Sequence, residues 1–379
     1  MSFDVICFSH LRWNFVYQRP QHVLSRFAKT HRVFVMEEPV FGAIGNHIEI
    51  TVDDASKVCI IVPHLQDNLS MIDVMATQQV LLDLLLVTMR IKEYIVWYYS
   101  PMALGWSDHL KPALVIYDCM DELAAFKFAP SSLVQREQKL LKKADLVFTG
   151  GQSLYEAKKH LHKNIYPFPS SIDKAHFSIA RTNIEEPVDQ QAIPHPRIGY
   201  YGVLDERLDI KLLTALASAR SDWHFILIGP VVKIDPAELP RPLNIHYLGS
   251  KSYDELPYYL AGWDIAMMPF ALNESTRFIS PTKTPEYLAG GKPVISTPIK
   301  DVVSPYGEEG MVHIAATPAI FIAAAEAALT KINYDNWLLK VDDFLAGISW
   351  DKTWQRMESL IHEAIKNKTE TQKKADEYV

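Results

Sequence analysis

The stretch Ile265-Ala266-Met267-Met268-Pro269-Phe270-Ala271-Leu272-Asn273-Glu274-Ser275-Thr276-Arg277-Phe278-Ile279-Ser280-Pro281-Thr282-Lys283-Thr284-Pro285-Glu286-Tyr287-Leu288-Ala289-Gly290-Gly291-Lys292-Pro293-Val294-Ile295-Ser296 reads as strand, polar loop, short helix and second strand. Four apolar residues open it. Thr284 suits an N-cap with Pro285 at the first helical position, and Gly290-Gly291 ends the helix. Two fully apolar strands joined through a helix are the unit of a parallel sheet covered on both faces.

The same rhythm extends outward in both directions. Upstream, the short apolar runs are Val5–Phe8, Val33–Met36, Val58–Val62, Tyr94–Tyr98, Ala113–Tyr117 and Leu146–Thr149. Segments of helical period lie among them at residues 21–30, 76–91 and 132–143. After a polar, proline-containing stretch the runs resume at Arg197–Tyr201, Trp223–Ile228, Ile245–Leu248, Pro293–Ser296 and Met311–Ile314. The expectation is an α/β chain with an N-terminal domain over 1–180, a linker over 181–196 and a second domain over 197–348. A helix of apolar period follows within 349–365, and residues 366–379 form a charged, disordered tail.

Composition narrows the class. The chain has 379 residues, 48% apolar and 22% charged, which is enough for two cores. Its 38 Lys+Arg stand against 45 Asp+Glu, a net charge of −7 that disfavours a nucleic-acid partner. Cys7, Cys59 and Cys119 are far apart and odd in number, which fits a reducing cytoplasm and no disulfide framework. Val80–Val87 is too short to span a bilayer and reads as a buried helix. No metal-ligand spacing, P-loop or GxGxxG occurs, so the expected metal site is none.

Ligands of wound α/β sheets sit just beyond strand C-termini. In the quoted stretch that places Lys283 as a point charge for a phosphate and Glu286 as an acceptor for a ribose or sugar diol. Glu286 equally suits a first helical turn by dipole complementation. Gly202 ends the strand Arg197–Tyr201 and lets backbone approach a ligand. Arg207 then offers a planar fork for phosphate oxygens, or a pair with Asp205 or Asp209. In the first half, Trp13, Arg19 and His22 lie in a connection rich in aromatic and polar groups, a mix that suits a sugar. Tyr98 ends the next strand as a stacking surface. Asp118 and Asp121 follow another strand. Asp121 reads as an acid able to deprotonate a hydroxyl or as a helix cap.

The run Ser280–Val294, together with Phe148–Leu154 and Phe168–Asp173, resembles the group 1 glycosyltransferases of GT-B fold. Tyr17-Gln18-Arg19-Pro20-Gln21-His22 with Tyr117–Glu122 resembles bacterial enzymes of surface-polysaccharide assembly, including the teichuronic acid type. The resemblance implies two Rossmann-like domains facing across a cleft, with a final helix crossing back to the first. It implies transfer from a nucleoside diphosphate sugar, UDP favoured, to a carbohydrate or lipid-linked sugar, with no obligatory cofactor. Arg207 and Lys283 then neutralise the leaving diphosphate in place of a metal, and Glu286 holds the ribose. Ser280 and Thr284 would join them on the donor side. The family's second acidic residue, eight positions before Glu286, is Phe278 here, so Asn273 or Glu274 is expected to meet the donor sugar. An inverting reaction would take Asp121 as its base. A nucleotide-sugar 2-epimerase or a non-catalytic nucleotide-sugar binder of the same fold remain the alternatives. The expected place of action is the cytoplasm, with contact at the inner membrane face left open.

Overall fold

The computed structural model describes residues 3–376. Its first sheet begins with β1 (Asp4–Phe8), β2 (Val33–Met36), β3 (Val40–Phe41), β4 (His47–Val52) and β5 (Cys59–Leu65). β6 (Tyr94–Tyr98), β7 (Leu114–Cys119), β8 (Leu146–Thr149) and β9 (Ile165–Pro167) complete it. The order is β3-β5-β2-β1-β6-β7-β8-β9, all parallel, with β4 antiparallel on β5. Alternate residues serve opposite faces, as the period of two requires. Val5, Cys7, Ile95 and Trp97 enter one core, while Ile6, Phe8, Val96 and Tyr98 enter the other.

The second sheet contains β10 (Arg197–Tyr201), β11 (His224–Ile228) and β12 (Ile245–Tyr247). It continues with β13 (Ile265–Met268), β14 (Val294–Ser296) and β15 (Val312–Ile314). The order β12-β11-β10-β13-β14-β15 is parallel throughout. One core surrounds it. Ile172, Phe177 and Ala180 already belong to that core, so packing changes allegiance before residue 180.

Three sequence expectations need correction. The segment 181–196 is not a free linker. The buried Gln190 donates to the Tyr259 carbonyl and accepts from Trp263 Nε1, each at 2.9 Å, and Glu186 pairs with Arg197. Nor are residues 366–376 a disordered tail. The final helix runs Trp350–Asp376, and Lys368 reaches Asp145 at 2.9 Å; residues 377–379 lie outside the described residues. Finally, the apolar segment around Val80 lies in the helix Met71–Thr88, of which only 22% is buried. Gln78, Leu81, Leu82 and Leu85 face inward, whereas Ile72, Val80, Leu84 and Val87 face out.

The final helix returns to the first domain. Trp350, Met357, Ile361 and Ile365 enter its core, and Arg26 holds Asp351 at 2.7 Å. A buried side chain of that size contributes roughly 1.5–3 kcal/mol, so this docking is substantial.

A second tether is ionic. Arg19 and Asp118 are 4% and 0% exposed. The guanidinium gives Asp118 bonds of 2.8–3.2 Å and donates to the Phe168 carbonyl at 2.6 Å. This ties the helix Arg19–Phe27 to the ends of β7 and β9. Removing one partner of a buried pair strands the other charge. Asp118→Ala is therefore expected to cost about 3–5 kcal/mol in urea unfolding of the first domain. Asp118→Leu combined with Arg19→Met should recover much of that loss. A loss below about 1 kcal/mol in the single variant would mean that the pair is not buried as described.

Candidate functional site

The C-terminal ends of both sheets open on one cleft of about 810 Å³. From the second domain come Tyr200, Gly202, Arg207, Ser280, Lys283 and Glu286; from the first come Trp13, Tyr17, Arg19 and Asp121.

Gly202 decides where the cations stand. Its φ of 142° lies where L side chains rarely go, and a Cβ there would meet Lys283 Cε at 2.2 Å and Nζ at 2.7 Å. Gly229, at φ 140°, repeats the device at the end of β11, where a Cβ would strike the Gly202 carbonyl oxygen at 2.0 Å. With both glycines in place, the Lys283 ammonium rests 5.7 Å from the Tyr200 ring centre. Burial pushes it down to about 8, against the upward pull of Glu286, and neighbouring Arg207 adds to the fall.

Arg207 makes the pair with Asp205 that its spacing allows. Nε reaches Oδ1 at 3.0 Å and Nη2 reaches Oδ2 at 2.7 Å, leaving Nη1 outside the pair. Asp205 is buried, so this is an anchored cation rather than a surface pair. The Phe126 ring lies 5.3 Å from the guanidinium carbon and 4.9 Å from Lys233 Nζ. Both cations thus stand beside an aromatic face from the other domain.

Glu286 is 5% exposed and accepts from the Tyr201 hydroxyl at 2.9 Å. Burial pushes its carboxyl up to about 7, with Lys283 and the Tyr201 hydroxyl pulling the other way. Asp121, on the opposing domain, is raised by burial to about 6 and restrained by Arg207, Arg19, Lys233 and Lys283. A weakly basic carboxylate therefore faces Arg207 and Lys283 across the cleft, an arrangement able to bind an anion and move a proton.

Several expected contacts are displaced. The helix starts earlier than its sequence suggests, spanning Lys283–Ala289 with Thr282 before it. Thr284 is buried, its hydroxyl 3.4 Å from Met268 Sδ. Asn273 is spent on its own turn, accepting from Ser275 N and Thr276 N. The exposed Glu274 pairs with Arg277 at 3.5 Å, so neither residue faces the cleft. Phe278 packs against the first domain's core.

On the acceptor side, Asp118 is consumed by Arg19, which reaches the cleft wall with each of its guanidinium nitrogens already making a bond to Asp118 or the Phe168 carbonyl. Tyr98 is core, bonded to Ser107 Oγ at 2.7 Å. His22 is buried and stacked on Trp350 at 4.5 Å, and its imidazole is pushed well below its ordinary range. Trp13 keeps a place on the wall, with its backbone N–H given to Glu37 at 2.7 Å.

Tyr253, His176 and Gly229 also line the cleft and escaped the sequence. Tyr17 stacks on Tyr253 at 4.4 Å, and Tyr253 on His176 at 4.3 Å, closing one side of the cleft. Only Gly229, directly after the strand Phe225-Ile226-Leu227-Ile228, carried a local signal equal to that of Gly202.

The two domains also meet through specific bonds. Asp301 accepts from Ser153 N at 2.9 Å at the start of the helix Gln152–Lys158, and Ser170 N donates to Ser280 Oγ at 3.2 Å. A side chain at Gly151 would collide with Asp301 Oδ2 at 2.2 Å.

Gly202→Ala is expected to displace the Lys283 ammonium and strain the backbone by about 1–3 kcal/mol. Its binding of UDP by calorimetry should weaken at least as much as that of Lys283→Ala. Unchanged affinity would mean that the glycine does not place the cation.

Comparison with known proteins agrees with this architecture. Residues 195–331 match the family model described as Glycosyl transferases group 1. A Bacillus subtilis (strain 168) protein named as a candidate teichuronic acid biosynthesis glycosyltransferase, TuaH, is 28% identical over 255 residues, covering 62% of this chain and 63% of that protein. The alignment thus spans less than two thirds of that relative. Among solved structures, the trehalose-6-phosphate protein of E. coli bound with UDP-2-fluoro glucose superposes with a TM-score of 0.68 at 11% identity, over 96% of this chain and 99% of that one. Sucrose-phosphate synthase of Thermosynechococcus elongatus gives 0.67 at 12%, covering 95% and 98%. Anabaena HepE in complex with UDP gives 0.63 at 12%, covering 95% and 100%. Two parallel sheets facing across a cleft, superposing on these structures over nearly their whole length, make this a chain of GT-B fold whose residues 195–331 match the group 1 model.

Proposed function

We propose that the protein transfers a sugar from a nucleoside diphosphate sugar to a hydroxyl of a carbohydrate or lipid-linked acceptor. The observation that carries this reading is the convergence on one cleft of Arg207, in the loop after β10, and Lys283, at the start of the helix Lys283–Ala289, with Glu286 one turn beyond. The diphosphate lies against the two cations, and Glu286 accepts hydrogen bonds from the ribose. A uridine nucleotide is favoured, since structures of similar fold are described with UDP or a UDP-sugar.

In the reaction, the acceptor oxygen bonds to the anomeric carbon as the bond from that carbon to the diphosphate oxygen breaks. The electron pair leaves with the diphosphate, whose growing charge meets Arg207 and Lys283. These groups supply the neutralisation that a metal ion provides elsewhere. Asp121, across the cleft, takes the acceptor proton. The site of action is the cytoplasmic face of the membrane, a reading supported by the outward apolar stripe of Ile72, Val80, Leu84 and Val87.

UDP near 100 times its Kd should stabilise the protein by ~2.7 kcal/mol in a thermal-shift titration. Lys283→Ala should lose ~1.5–3 kcal/mol of that binding, as expected for a charge-assisted bond. Asp121→Asn should keep UDP affinity and lower turnover by about 10²–10⁴. No stabilisation by any nucleoside diphosphate would contradict the donor site. Product formed from the donor alone would point instead to epimerisation.

The pH dependence follows from the same groups. Asp121 and Glu286 act as carboxylates, so kcat/KM rises with pH through about 6 to about 7. Lys283 acts as an ammonium, so it falls through about 8. Lys283→Arg should remove the alkaline limb, because a guanidinium stays charged. A flat profile across that range, or an alkaline limb that survives in the arginine variant, would contradict these roles.

A further inference from the structure

Outside the cleft lining, His31, Glu358 and His362 bring their ligand atoms within 4.8 Å of one another. His31 follows the helix Arg19–Phe27, whereas Glu358 and His362 stand four apart on one face of the final helix. We propose that these residues bind a divalent transition metal, zinc foremost, which pins the returning helix to the first domain.

The imidazole of His31 is prepared for this. Its Nδ1 lies 3.0 Å from the Phe3 carbonyl oxygen. A carbonyl only accepts, so Nδ1 carries the hydrogen, and in the neutral ring Nε2 holds a free lone pair. Metal-binding histidines are oriented this way, with the second ring nitrogen given to a backbone or carboxylate oxygen. The ring cannot turn freely. Phe3 stacks on it at 4.1 Å and 16°, and its side chain is 5% exposed. Nε2 faces Glu358 Oε1 at 3.7 Å, too far for a hydrogen bond yet suited to two ligands of one ion.

Two imidazoles and one carboxylate form a zinc ligand set, and the exposed side at His362 leaves a fourth position for water. Nitrogen-rich sites of this kind select zinc, cobalt, nickel or copper over magnesium and calcium. The ligand atoms have to draw in toward bonds ~2.0–2.1 Å long, and Glu358 and the exposed His362 project from a helix surface where side chains can adjust. The alternative is a plain ion pair between a protonated His31 and Glu358, with His362 uninvolved.

Cobalt(II) distinguishes the two, because a tetrahedral site has strong visible absorption. Tag-free, chelator-treated full-length protein is titrated with CoCl₂ and, in parallel, melted with ZnCl₂. The expected results are a saturable tetrahedral spectrum at one equivalent and a melting temperature raised by at least about 2 °C. His362→Ala and Glu358→Gln alter surface positions and should each weaken cobalt binding by ~10-fold or more. UDP binding should be unchanged in both variants. Absence of the spectrum, or equal cobalt affinity in both variants and the parent, would overturn the proposal. Neither result bears on the diphosphate site.

Discussion

The site depends on an empty volume. Lys283 reaches the end of β10 only because residue 202 has no side chain, and the backbone of Gly202 holds its place only because Gly229 has none either. This brings an ammonium near the guanidinium of Arg207 inside a buried wall, where like charges repel and solvent screens them weakly. Asp205, Glu286 and Asp121 compensate in part, but Asp205 is bonded to Arg207 and Glu286 to Tyr201. What remains is a place whose electrostatics improve when an anion arrives. The same reasoning explains how a negatively charged chain holds a locally cationic cleft. A net charge of −7 opposes broad contact with a polyanion, while two cations held in place suffice for one diphosphate.

The half of the site on the first domain is positioned differently. Asp121 follows β7, whose last residues are fixed by the Arg19–Asp118 pair, and neighbouring Glu122 is held by Lys158 at 2.8 Å. The domains then touch through a few directional contacts: Asp301 on the start of Gln152–Lys158, Ser170 on Ser280, and Tyr17 on Tyr253. Such contacts can be broken and remade, which suits a cleft that must admit a donor and then exclude water. The covalent link at 181–196 is bonded to the second domain, so hinge motion has to be absorbed before it or near Trp350.

The fold, and the presence of Gly202, Arg207, Lys283 and Glu286 at the cleft, were legible in the sequence for the same reason. Buried parallel strands are continuous apolar runs, and the residues just beyond them are brought to the cleft by topology alone. Gly202, Arg207, Lys283 and Glu286 needed no further information. The acceptor side failed because a loop dense in polar side chains does not reveal whether they face a ligand or one another. Arg19 found Asp118, 99 residues away, and His22 found Trp350. Thr284 was misplaced by a helix start two residues early, and Asn273 caps its own short turn, neither of which local composition resolves. The charged segment 366–376 looked apolar-poor, yet it continues a helix already docked upstream and gains a tether at Asp145. Propensity there yields to tertiary context.

In the proposed function, Arg207 and Lys283 together receive the diphosphate of a nucleotide sugar. A crystal structure of the protein with UDP tests it most directly. Phosphate oxygens are expected within ~2.7–3.2 Å of Lys283 Nζ and the Arg207 guanidinium, with Glu286 on the ribose hydroxyls. A diphosphate bound elsewhere in the cleft, with Lys283 still turned toward Tyr200, would contradict it.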